Sequence, residues 1–90
     1  MSTEVVQVGE DWVNVNTLLS AGLVNGQDYT FQNIGSGELY IREDSSVPAA
    51  EEFGHFLNPA DAYIVTPVSG QDVYVRSKDC KITLVVTEAN

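Results

Sequence analysis

Apolar and polar residues alternate with a period of two along most of the chain, the spacing of strands that bury one face and solvate the other. Over residues 4–8, Val6 and Val8 fall on one face and Val5 and Gln7 on the other. Gly9-Glu10-Asp11 then reads as a turn, and residues 12–15 continue the extended pattern. Helical spacing is scarce. Asn16 precedes Thr17, Leu18, Leu19 and Ala21, where its side chain is expected to cap a short helical turn ended by Gly22 or Gly26. A helix of roughly two turns forms only when it is packed against something else.

The alternation strengthens from Asp28, where Tyr29, Phe31 and Asn33 oppose Thr30, Gln32 and Ile34. Gly35-Ser36-Gly37 supplies a tight turn, and residues 38–42 set Leu39 and Ile41 against Glu38, Tyr40 and Arg42, so the two segments are expected to pair as a hairpin. The polar, proline-ended run from Glu43 to Pro48 reads as an exposed loop and a contact site. Residues 53–57 form a short strand interrupted by Gly54, and Asn58-Pro59-Ala60-Asp61 turns the chain. Tyr63, Val65 and Pro67 then oppose Ile64, Thr66 and Val68, the proline marking an edge or a bulge. After a turn at residues 69–72 come residues 73–76 and residues 80–87, with Ile82, Leu84 and Val86 on one face. Seven to eight short antiparallel strands at regular intervals predict an all-β chain, a compact β-sandwich or small barrel with jelly-roll or Greek-key connections. A chain of 90 residues is one domain, with residues 1–27 forming an N-terminal arm or peripheral strands.

Two segments echo each other. Ser36-Gly37 leads into Leu39-Tyr40-Ile41-Arg42, and Ser69-Gly70 leads into Val73-Tyr74-Val75-Arg76. Two copies are too few for a solenoid, so the echo reads as one way of leaving a turn, used twice, in preference to a true duplication. Its spacing places Tyr40 with Arg42, and Tyr74 with Arg76, on one face of their strands.

Composition narrows the function. The chain is 43% hydrophobic and 19% charged, and four basic against thirteen acidic residues leave a formal charge of −9. It is expected to fold, and nucleic acid is excluded as a partner because phosphate would be repelled. A single cysteine forms no internal disulfide, no apolar run approaches membrane-spanning length, and the residues after Met1 lack the basic and apolar regions of a secretory signal. A domain this small gains stability by assembly, so a homo-oligomer is expected.

Candidate chemistry is sparse. His55 is the one histidine, flanked by Phe53, Phe56 and Leu57, and reads as a partly buried strand residue rather than a general base. Cys80 sits beside Asp79, with only Lys78 and Lys81 to activate it, and reads as a quiet thiol. One histidine and one cysteine fall short of a zinc site, and Glu43-Asp44 and Glu51-Glu52 lack the ligand spacing of a calcium loop. Gly35-Ser36-Gly37 has no Lys-Ser/Thr ending for phosphate. No catalytic residue, metal site or cofactor is assigned, and an enzyme is not expected. Trp12, Tyr40, Arg42, Tyr74 and Arg76 are the residue types that anchor protein interfaces, and they form either such an interface or core aromatics beside surface arginines. All four basic residues follow Ile41, an asymmetry suited to head-to-tail contacts between subunits.

The run from Tyr29 to Arg42, followed by Leu57-Asn58-Pro59 and by Ser69-Gly70 to Arg76, resembles small virion proteins of tailed bacteriophages of the capsid decoration (cement) type. The resemblance spans residues 28–87. It implies a β-sandwich structural protein that binds the assembled capsid, bridges its subunits and acts without catalysis. The partner it implies is the major capsid protein or another virion protein, and the location the capsid surface, after synthesis in the host cytoplasm. Residues 1–27 would then grip the capsid subunit by pairing with a sheet edge. A tail, neck or fibre-attachment component is the near alternative. An acidic host-takeover protein mimicking nucleic acid and a carbohydrate-binding module using Trp12, Tyr40 or Tyr74 are alternatives of other classes.

Overall fold

The structure, a computed structural model, describes residues 3–49, 54–78 and 81–88. The period-two segments become strands β1 (Thr3–Val8), β2 (Val13–Asn14), β3 (Tyr29–Asn33), β4 (Leu39–Asp44), β5 (His55–Leu57), β6 (Ala62–Val65), β7 (Asp72–Ser77) and β8 (Ile82–Glu88). They form two antiparallel four-stranded sheets, ordered β1-β8-β3-β6 and β2-β7-β4-β5.

The order has a simple rule. Strand 1 pairs with 8, 2 with 7, 3 with 6 and 4 with 5, every pair antiparallel. This is the pattern of one long ribbon, folded back between β4 and β5 and then rolled so that its strands fall alternately into two layers. The expected all-β sandwich is therefore present, and its connections are those of a jelly roll. Each layer turns its apolar positions inward, as the alternation requires. Val6 and Val8 of β1, Phe31 of β3, Leu39 and Ile41 of β4, Val75 of β7 and Ile82 and Leu84 of β8 meet in one core. Val5, between half-buried Glu4 and buried Val6, points out and is 58% exposed. The first two strands are edge strands, one in each sheet.

The expected hairpin at residues 28–42 is not formed. β3 pairs with β6 and β8, whereas β4 pairs with β5 and β7 in the other layer. Gly35-Ser36-Gly37 thus carries the chain across the core instead of turning it beside itself. The cause lies at Asn33, whose fully buried side chain ties the crossing together. Its Nδ2 donates to the carbonyls of Gly37 (2.8 Å) and Leu57 (3.0 Å), and its Oδ1 accepts from the amide of Gly35 (2.9 Å). Its backbone bonds the 58–61 turn at Ala60 and Asp61. At Gly35 the chain passes so close to β8 that a Cβ would come within 2.9 Å of Ile82 Cγ2.

The short helix also differs from expectation. It is a single 3₁₀ turn, Val15–Thr17, capped by Asn14, whose Oδ1 accepts from the Asn16 amide. Asn16 instead accepts from the amide of Leu23 (2.7 Å), which fastens the following segment to the turn. Gly22 and Gly26 both adopt positive φ, 73° and 84°, and redirect the chain towards β3. Glu43 and Asp44, expected in a loop, close β4 opposite Val73 and Asp72.

Candidate functional surfaces

The five residues expected at an interface converge on the outer side of the β2-β7-β4-β5 sheet. The two echoing segments are neighbours in that sheet, running in opposite directions, so that Tyr40 faces Arg76 and Arg42 faces Tyr74. Spacing within each copy put a tyrosine and an arginine on one face. Pairing of the copies crosses them. Trp12 joins Tyr40 and Tyr74 as a second small core, and the guanidinium of Arg76 lies 5.8 Å from the ring centres of both Trp12 and Tyr40, within cation–π range.

That cluster is covered. The segment after β4 crosses it, Pro48 is buried, and Trp12 Nε1 donates to the Ala49 carbonyl at 3.1 Å. Trp12, Tyr40 and Tyr74 retain only 9%, 8% and 4% of their accessible surface. The aromatics accordingly pack the sheet's outer side, and Arg42 and Arg76, each half-buried, border them. Arg42 Nε bonds Asp44 Oδ2 at 3.2 Å. Burial pushes the Tyr74 phenol above its ordinary pKa, and the carboxylates of Asp72 and Asp44 add to the shift. Phe56, 48% exposed with its ring 5.3 Å from Tyr40, continues the aromatic row to the sheet edge. It was visible in sequence only as a neighbour of His55.

His55 is exposed, not partly buried as its apolar neighbours suggested. β5 is an edge strand, so its inward positions reach the rim, where the imidazole stacks on Tyr63 of β6 at 4.4 Å between ring centres. Cys80, Glu51 and Glu52 lie outside the described residues. Among the described residues, no group of three His, Cys, Asp or Glu side chains is placed to hold a metal ion, and no helix is long and apolar enough to cross a membrane. The basic residues are partly engaged within the chain, Lys78 Nζ lying 3.2 Å from Glu38 Oε1.

The other outer face has a different chemistry. Its outward residues come in two full rows across all four strands: Thr3, Thr87, Thr30 and Ile64, then Val5, Val85, Gln32 and Ala62. Gln7, Thr83 and Ile34 extend it at one end. None of these positions is charged, in a chain where 17 of 90 residues are (13 acidic plus 4 basic). Two polar pairs bond across strands, Thr3 Oγ1 to Thr87 Oγ1 at 3.4 Å and Gln7 Nε2 to Thr83 Oγ1 at 3.0 Å, and Gln32 Nε2 donates to the Ala60 carbonyl in the turn before β6 at 3.3 Å. Ile64 is 65% exposed. This face carries none of the aromatics and arginines that mark an interface in a sequence. The signal was present as alternate positions of four strands that lack charge, but only the strand order places them side by side.

A cleft of about 160 Å³ opens at one end of the sandwich, between β1, β3, β8 and the segment following the 3₁₀ turn. A second hollow, of about 290 Å³, lies beside Trp12 between the β1–β2 turn and Val47-Pro48. No family model matches the chain, nor does any curated protein or solved structure.

Proposed function

We propose that this chain is a non-enzymatic structural protein of a virion, a decoration protein that docks on the assembled capsid of a tailed bacteriophage and stabilises it by bridging subunits. The observation that carries the reading is the uncharged outer face of the β1-β8-β3-β6 sheet. A solvated sheet face ordinarily carries charges that keep molecules apart, and a net charge of −9 would supply them readily. Here they are missing from two full rows of outward positions across all four strands. Threonine and glutamine side chains already bonded to neighbours cost little to desolvate, so a protein surface can cover them without leaving polar groups stranded.

The scale of the face supports bridging. Four strands about 4.8 Å apart and five residues at about 3.3 Å span roughly 300 Å² in projection. That is the size of an exposed patch that serves binding, but well under the roughly 800 Å² that each partner buries in a stable interface. One such contact is weak. A ligand seated across two subunits of a lattice adds the second contact that makes attachment durable. Jelly rolls build viral capsid domains and lectins alike, which adds support by analogy of fold. A sugar platform is disfavoured by the covered state of Trp12, Tyr40 and Tyr74.

The test is co-sedimentation of purified protein with expanded capsids of the phage that encodes it, followed by imaging of the particles. Saturable binding at a fixed ratio to the capsid subunit, with density over subunit boundaries, is the expected result. Binding that rises without saturation, or none, would overturn the proposal.

A further inference from the structure

The cleft at the end of the sandwich has a composition that the core behind it lacks. The inward positions of β1 and β8 are apolar along the core, from Val6 and Val8 to Ile82, Leu84 and Val86, and become acidic only at this end, with Glu4 and Glu88. Glu4 pairs with Val86 and Glu88 with Tyr29. The two glutamates are therefore diagonal neighbours on adjacent strands, about 7–8 Å apart at the backbone. Beneath them the cleft is walled by Leu19, Ala21, Tyr29 and Val86, and none of the chain's basic residues lines it.

The walls are held in place. Glu4 accepts from the Ser20 amide (2.9 and 3.2 Å to its two oxygens) and from Ser20 Oγ (3.1 Å), and the Tyr29 hydroxyl accepts from the Val24 amide at 2.9 Å. The segment closing the cleft is thus pinned at both sides, one carboxylate is oriented, and a second faces the same opening. An apolar slot topped by two anions matches an alkyl stem ending in a cation. An ammonium, with three donors and a small radius, can bridge two carboxylates carried by diagonal positions of adjacent strands.

We propose that this cleft receives the side chain of a lysine from a partner protein, its methylenes against Leu19, Tyr29 and Val86 and its ammonium between Glu4 and Glu88. The net charge of −9 favours a basic partner surface, and the slot's volume of about 160 Å³ suits one stem rather than a folded peptide. The inference stands on the cleft alone and does not depend on a role in a virion.

The experiment follows the Leu19 and Val86 methyl and Tyr29 ring signals by NMR while n-butylammonium is added to the full chain, with n-butanol as the neutral isostere. Five non-hydrogen atoms should bind with a dissociation constant on the order of millimolar. Butylammonium is expected to saturate the shifts at least about tenfold more tightly than butanol, and Glu88→Gln, at a strand end, is expected to remove most of that difference while leaving the remaining spectrum in place. A capped Gly-Lys-Gly peptide should shift the same signals, and its Nε-acetylated form should not. Equal binding of butanol, no saturation, an unaltered response in Glu88→Gln, or an indifferent peptide would each overturn the assignment.

Discussion

Replacing Asn33 by alanine would strand the carbonyls of Gly37 and Leu57 and the amide of Gly35, all of which it bonds at the point where the chain changes sheets. Leaving buried groups unpaired costs more than a hydrogen bond contributes, so a loss of roughly 3 kcal/mol is expected in urea denaturation. Ser77 is the opposite case. It is fully buried, and its Oγ has no hydrogen-bond partner among the described residues. Ser77→Ala should be neutral or stabilising by up to about 1 kcal/mol, and a clear loss in the same measurement would reveal a partner for that hydroxyl. Tyr74 makes stability depend on alkali. Its phenol is held above the ordinary 10.0 by burial first, then by Asp72 and Asp44. The unfolded chain then releases this proton before the folded one does, so the contribution is complete below about pH 10 and is lost as pH rises through the folded value. Denaturation midpoints above about pH 10 should fall less steeply in Tyr74→Phe than in the parent chain.

The elements were legible to different depths. Period-two alternation identified the buried faces of β1, β3, β4, β7 and β8, because burial on one side is a local property of a strand. Which sheet a strand joins is not local. β1 and β8 pair from opposite ends of the chain, and Gly35-Ser36-Gly37 suits a hairpin and a crossover equally well until Asn33 finds its partners. The aromatic cluster shows the same limit. Tyr40 and Tyr74 stand at outward positions by their spacing, and only a later segment laid over them makes them core. The Asn14 cap was missed by two residues because Asn14 and Asn16 carry the same side chain, and the distinction rests on Asn16 being drawn to Leu23. The way into β5 supplies a test at this scale. A Cβ at Gly54 would overlap the Ile41 carbonyl. Gly54→Ala should therefore cost roughly 2 kcal/mol by thermal or urea denaturation, whereas at an open site the same change commonly adds stability.

Considered whole, the molecule places its charge unevenly. Among the described residues, acids and bases occupy turns, strand ends and the β2-β7-β4-β5 side, while the outward rows of the β1-β8-β3-β6 sheet present threonine, valine, glutamine, alanine and isoleucine. The rolled ribbon creates this asymmetry by gathering alternate residues from four segments on one sheet face. On the proposed function, what matters at this scale is the charge that this surface lacks, and with it the repulsion that separates acidic proteins. The decisive measurement is the binding isotherm of Val85→Lys on capsids, set against the parent chain and a control, Val68→Lys, at an exposed position in the β6–β7 connection. Val85 sits at the middle of the uncharged face, half-buried and outward, so a lysine there can be solvated in the free protein but not beneath a partner. Affinity at least about tenfold weaker for Val85→Lys, with unchanged thermal stability and a control that binds like the parent, is the expected result. Equal affinity for all three proteins would contradict the claim that this face makes the contact.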